Sequence, residues 1–294
     1  MNLWEEYVVA TSLADALDAL ATAAPPVMPI AGGTDLLLDL EQGRHPPQRT
    51  LVDLTRVVEL TALELRGDSL FVGAAVPLTR ITRDPLVVQH APALVEACRL
   101  IGGPQVRNVA TLGGNVAHAL PAADGTISLL ALDAVAEIVS ANGVSSKPIG
   151  ELFLGPGKST LRAGEELIIG FYIPLRKADE GSSFRRIMRP QGVALPIINL
   201  AVWMHREGDR VGAARIAVGP GAPIPWRANA AENALVGNPG SDEALARALS
   251  ELLGDVQFRS SPRRATSEYR RYLVEPLFNE TAKAAWNAAA WKGN

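Results

Sequence analysis

Two Gly-Gly pairs in matching contexts constrain this chain more than any other feature. Residues 27–30 form a short apolar run, read as a buried strand, that leads straight into Ala31-Gly32-Gly33-Thr34-Asp35, after which residues 36–41 take on helical character. The second pair lies in Thr111-Leu112-Gly113-Gly114-Asn115, beyond a helix at 92–101 that Gly102-Gly103 ends. A glycine pair at such a turn permits φ > 0 and lets a ligand approach the backbone closely. Successive N–H groups there form a concavity suited to phosphate oxygens. Thr34 and Asn115 add side-chain hydrogen bonding. One such pair is commonly no more than a turn; two of them, each beside a hydrogen-bonding side chain, favour a phosphate-bearing ligand.

The rest of the chain alternates short strands and helices. Strands are expected at 7–10, 50–53, 135–139 and 167–173, and a hairpin at 63–66 and 69–73 around Gly67-Asp68. Ser12 with Asp15 three residues on signals a helix start, Asp84-Pro85 a second, and residues 124–132 a further helix. From about residue 181 the pattern changes. Strands at 183–188, 197–205 and 211–218 precede helical periodicity from Trp226 to the end, with Ser261-Pro262 as a helix start. Three strands followed by helices read as a separate α+β unit. The boundary is placed within the charged residues 175–182.

Several chemistries are excluded or left without residues. There are 28 Lys and Arg against 31 Asp and Glu, so a nucleic-acid binder has no support. One cysteine, Cys98, forms no internal disulfide and cannot ligate an iron–sulfur cluster alone, and on a helix it reads as a small buried hydrophobe. Four dispersed histidines disfavour zinc and sit beside no nucleophile motif. Neither Gly-x-Gly-x-x-Gly after a strand nor a P-loop is present, and Pro156 spoils the phosphate-like run at 155–160. No stretch has the roughly 18 apolar residues of a membrane span, and a cytoplasmic protein is expected. Asp124, just past the second turn, suits either a ribose or base contact or a helix N-cap. Arg185, Arg186 and Arg189 form either a solvated basic face or a contact to an anion or flavin edge.

The combination is more specific than its parts. Residues 29–37 (Pro-Ile-Ala-Gly-Gly-Thr-Asp-Leu-Leu) and 109–117 (Val-Ala-Thr-Leu-Gly-Gly-Asn-Val-Ala) resemble the two FAD-binding signatures of the flavoprotein subunits of molybdenum hydroxylases. Residues 105–108 (Gln-Val-Arg-Asn) and 121–124 (Pro-Ala-Ala-Asp) stand where that family has them, and the resemblance spans essentially the whole chain. It implies an α+β fold. A PCMH or vanillyl-alcohol-oxidase-type FAD-binding domain of two subdomains would occupy residues 1–178. A smaller α+β domain like that of the carbon monoxide dehydrogenase medium subunit, with a three-stranded antiparallel sheet and helices, would occupy 179–294.

The resemblance also implies residue roles. Ala31, Gly32, Gly33, Thr34, Asp35 and Leu36, entered through Pro29 and Ile30, would wrap the FAD pyrophosphate. Thr111, Gly114 and Asn115 would complete that cradle, with His118 in the same cofactor-binding set. Asp124 would hold the adenosine end, Ile101 would lie near the flavin ring, and Ile168 would contact the cofactor through its backbone. Arg186, in preference to Arg185, would stand near the flavin. Three departures are visible. His118 replaces a small or hydroxylated residue, residues 193–194 replace an Asp-aromatic pair, and Arg replaces Lys near the flavin, where a planar fork differs from a point charge.

The implied activity is electron transfer. Non-covalent FAD in this chain would take electrons from the [2Fe–2S] clusters of a small subunit, fed by a molybdenum cofactor in a large subunit, and pass them to an external acceptor. A dimer of heterotrimers is expected, with an apolar small-subunit surface around Ile101-Gly102-Gly103, and no metal in this chain. A single cysteine argues against the 4-hydroxybenzoyl-CoA reductase branch, which carries an added cluster in this subunit. The alternatives are a self-contained flavin oxidase of the same broad fold and a flavin-free structural subunit.

Overall fold

The computed structural model describes residues 3–190, 192, 194–262 and 264–289. The N-terminal part opens with β1 (Glu6–Val9), α1 (Leu13–Thr22), β2 (Val27–Ile30), α2 (Leu36–Glu41) and β3 (Thr50–Asp53). These build a three-stranded parallel sheet with β3 between β1 and β2. At the start of α1, Ser12 Oγ accepts the Asp15 N–H at 3.1 Å, and Ala16 and Leu20 face inward at helical spacing. Parallel pairing sends β2 and β3 the same way, so the Gly32-Gly33 turn emerges at the carboxyl edge of a sheet, where α/β folds commonly bind ligands.

The second subdomain begins with β4 (Leu63–Arg66) and β5 (Ser69–Gly73), then α3 (Leu78–Ile81), α4 (Pro85–His90), α5 (Pro92–Leu100), α6 (Pro104–Arg107), α7 (Leu112–Ala117) and α8 (Asp124–Ala131). It closes with β6 (Val135–Ser140), β7 (Gly143–Pro148), the small hairpin β8 (Phe153–Gly155) and β9 (Lys158–Ser159), and β10 (Leu167–Pro174). The five-stranded antiparallel sheet runs β4-β5-β10-β6-β7. The late strand β10 inserts between two early ones because Phe71, Ile173 and Phe171 bury completely where it pairs with β5.

The C-terminal part holds β11 (Glu180–Met188), β12 (Pro196–Glu207), β13 (Arg210–Gly219) and β14 (Trp226–Arg227), then α9 (Asn229–Leu235), α10 (Asp242–Asp255) and α11 (Ser267–Ala289). Its sheet has four antiparallel strands, which corrects the expectation of three. The fourth, β14, is two residues paired with Ala217 and Val218. Two residues carry no readable alternation, and helical periodicity begins directly after them. The last helix also starts later than Ser261-Pro262. Pro262 sits in a turn, and Thr266 Oγ1 accepts the Tyr269 N–H at the true start.

This sheet is covered on both faces. Phe184, Ala201 and Ala217 join the core built by α5 and α8, while Leu200, Val202, Ile216 and Val218 pack with Leu245, Leu277 and Phe278 of α10 and α11. The seam is polar as well as apolar: Glu96 on α5 accepts the Phe184 N–H at 2.6 Å. Burial on two faces explains why β12 reads as one continuous apolar run.

Candidate functional site

The first glycine turn leaves a run of backbone amides unpartnered. Gly33 has φ +66°, and a Cβ there would stand 3.0 Å from Ile30 Cδ1 and 3.2 Å from Leu37 Cδ1. A Cβ on Gly32 would stand 2.2 Å from the Val109 carbonyl oxygen, so the backbone leading into the second turn presses directly on the first. The N–H groups of Gly32, Gly33, Thr34, Asp35 and Leu36 find no hydrogen-bond partner among the described residues. Five consecutive unpartnered amides at a sheet edge are the donor set that a diphosphate takes. Pro29 and Ile30 supply the strand that delivers this turn, and Ala31 begins the bend.

The second turn works differently. Only Gly33 of the two signature pairs has a positive φ; Gly113 and Gly114 lie within α7. The expectation of left-handed backbone in both turns is therefore corrected. Thr111 is the N-cap of α7, its Oγ1 accepting the Gly114 N–H at 3.1 Å, so glycine serves here for space. A Cβ on Gly113 would stand 2.6 Å from Ala74 Cβ, whereas one on Gly114 would meet only Thr111 Oγ1 at 3.3 Å. Gly114 thus leaves an open face beside the first turn. Asn115 Oδ1 accepts the Thr126 N–H at 3.1 Å and ties α7 to α8.

His118, at the C-cap of α7, reaches back to the first turn. Its Nε2 lies 3.2 Å from Asp39 Oδ2 and its Nδ1 lies 3.7 Å from Asp35 Oδ2. Asp39 is buried. Burial alone would raise its carboxyl, but Arg44 Nη1 at 2.6 Å and His118 together hold it below the ordinary range.

Beyond α8 lies a buried polar cluster at the seam with the C-terminal sheet. Arg186 Nη1 donates to Asp124 Oδ2, and Asn199 Nδ2 donates to Asp124 Oδ1 at 2.6 Å and to the Ala122 carbonyl at 3.0 Å. Burial pushes the Asp124 carboxyl up, against the opposing pull of Arg186 and Asn199. Asp124 is not the N-cap of α8; Ala123 is, and the Asp124 side chain turns toward β11 instead. Asp124 and Arg186 thus form one buried ion pair at this seam. Arg185 is held apart by Glu96 and Glu280, both at 3.0 Å. Arg186 Nε and Asn199 Oδ1 are buried with no hydrogen-bond partner among the described residues.

Ile101 caps α5 and packs on the main core, and Arg107 Nη1 donates to the carbonyls of Ile101 and Gly102 at 3.1 and 2.6 Å. Ile168 is buried in β10 at a break in register with β6 between Ile168 and Gly170, so backbone there is irregularly paired. Val193 lies outside the described residues. Asn199 is not among the residues the sequence reading singles out, and its signal is an Asn inside the apolar run Ile197-Ile198-Asn199-Leu200. Among the described residues, no group of three His, Cys, Asp or Glu could hold a metal, and no helix is long and apolar enough to cross a membrane. Cys98 is fully buried, which pushes its thiol up and leaves it inert.

Five free amides at a sheet edge and an orphaned guanidinium nitrogen fit a dinucleotide such as FAD, and the comparisons agree. Residues 3–176 match the FAD binding domain in molybdopterin dehydrogenase, and residues 182–285 match the CO dehydrogenase flavoprotein C-terminal domain. The chain belongs to this family. It is an oxidoreductase flavoprotein subunit of the molybdenum hydroxylases, of the xanthine dehydrogenase medium-subunit kind. It is 34% identical over 287 residues to the xanthine dehydrogenase FAD-binding subunit of Escherichia coli O157:H7, covering 97% of each chain. It is 34% identical to the nicotine 6-hydroxylase medium subunit of Paenarthrobacter nicotinovorans, covering 94% of this chain and 95% of that one. A chain of carbon monoxide dehydrogenase from Hydrogenophaga pseudoflava superposes with a TM-score of 0.92 at 27% identity, over 98% of this chain and 99% of that one.

Proposed function

We propose that this chain carries one non-covalent FAD between its glycine turns and the Asp124–Arg186 pair. In this reading it relays electrons from the [2Fe–2S] clusters of a small subunit to an external acceptor. The observation that carries the reading is the run of five unpartnered amides from Gly32 to Leu36. Bound FAD supplies the redox chemistry, accepting electrons singly or in pairs. The residues of this chain bind and orient. The amide run holds the pyrophosphate, the Thr111 hydroxyl proton is free to donate beside Gly114, and Arg186 offers Nε from a buried position. No acid, base or nucleophile is required, which fits a chain whose histidines stand apart from any nucleophile.

Substrate oxidation belongs to a molybdenum-containing large subunit, in an assembly read as a dimer of heterotrimers. Leu100, exposed and directly before the Ile101-Gly102-Gly103 turn, suits the small-subunit face. Acid precipitation of the purified yellow protein should release FAD into the supernatant, identified by mass. The isolated chain should pass electrons from a reduced nicotinamide nucleotide to a dye at most, and should leave purines, aldehydes and carbon monoxide untouched until partner subunits are added. Substrate turnover by the isolated chain would instead mark a self-contained oxidase, and a colourless folded protein from flavin-replete cells a structural subunit.

A further inference from the structure

His118 stands where the two glycine turns meet. Asp35 lends its amide to the five-member donor run, so its carboxylate, 56% exposed, stands at the mouth of the anion concavity. Asp39 follows one turn along α2, buried. Two carboxylates beside an anion site repel the anion they border, and one is offset by Arg44. The two carboxylates and the one guanidinium leave a single negative charge, which protonation of His118 cancels. No other side chain of α7 titrates. The neighbouring β8–β9 hairpin, whose Gly157 N–H donates to the Ala119 carbonyl at 2.9 Å, carries the exposed Lys158. From α8 the nearest acid, Asp124, is already paired with Arg186.

We infer that His118 is the counter-charge of the pyrophosphate cradle: protonated between Asp35 and Asp39, it neutralises the pair and admits the dianion, so that FAD binding takes up a proton. This rests on the reading of the first glycine turn as the pyrophosphate site. The role is positioning and electrostatic. Histidine is the side chain whose charge changes most readily across the neutral range.

The test uses the full chain stripped of flavin and titrated with FAD. Affinity is read by flavin fluorescence from pH 6 to pH 8.5, and proton uptake by calorimetry in two buffers of different ionisation heat. In the wild type, the dissociation constant should rise about tenfold across that range, the effect of one unit charge partly screened by solvent, with net proton uptake at pH 7. His118→Gln should bind weakly at every pH with no uptake. His118→Arg should bind tightly with a flat profile. Asp35→Asn, at an exposed position whose side chain makes no capping bond, should tighten binding and shrink the slope even if the His118 variants fold poorly. An unchanged slope and uptake in His118→Gln would overturn the inference while leaving the FAD site standing. Failure of the wild type to bind FAD would overturn both.

Discussion

Gly33→Val should purify as a folded, colourless chain. The backbone at Gly33 is left-handed at φ +66°, and a β-branched side chain held there costs on the order of 1–3 kcal/mol. The new methyls would press on Ile30 and Leu37 and pull the amides of residues 32–36 out of alignment. Flavin content should fall to about a tenth or less, since each 1.4 kcal/mol is tenfold in affinity. Circular dichroism should match the wild type, because the parallel sheet is anchored by Leu51 and Val52 away from the turn. Gly114→Val separates two causes. Its backbone tolerates a side chain and its Cβ position is open apart from Thr111, so any loss of flavin there comes from blocking the ligand. Full occupancy in both variants would show that these turns only reverse the chain.

Asp124→Ala should be the most destabilising single change at the site. Asp124 and Arg186 are 4% and 5% exposed, so removing the carboxylate leaves a buried guanidinium without its counter-charge. The expected loss is about 3–5 kcal/mol, larger than the 1.5–3 kcal/mol of one charge-assisted hydrogen bond. Urea unfolding of the flavin-free protein measures it. The double variant Asp124→Leu with Arg186→Met should recover most of that stability, because a buried ion pair contributes little net stability against a packed apolar pair. It should not recover flavin binding if the pair meets the cofactor. Recovery of both would reduce the cluster to a structural joint between the FAD-binding part and the C-terminal sheet.

Much of the molecule was legible because its signals are local. The sequence alone predicts the β3 strand and the β4–β5 hairpin at their observed bounds, since alternation and the Gly67-Asp68 turn act over a few neighbouring residues. Ser12 and Asp84 are legible as helix caps for the same reason, and both accept the N–H their positions require. The two-residue strand β14 was not legible, because only its partner β13 makes it a strand. The start of α11 lies later than Ser261-Pro262 predicts, because Pro262 suits a first helical position and a turn equally well.

The site divides along the same line. The paired Gly-Gly turns point to a phosphate-bearing ligand, because glycine there opens backbone geometry and close approach that other residues deny, and the flavoprotein family enters through the resemblance of the two signatures together with residues 105–108 and 121–124. Tertiary structure alone decided the rest. It separated a left-handed glycine at Gly33 from a space-making one at Gly114. It joined Asp124 to Arg186, 62 residues apart in the chain, with Asn199 between them and the Ala122 carbonyl. It set His118 against Asp39, 79 residues away. Charges separated by that much chain interact only once packing has excluded water and fixed their distance, and neither condition is written in spacing or composition.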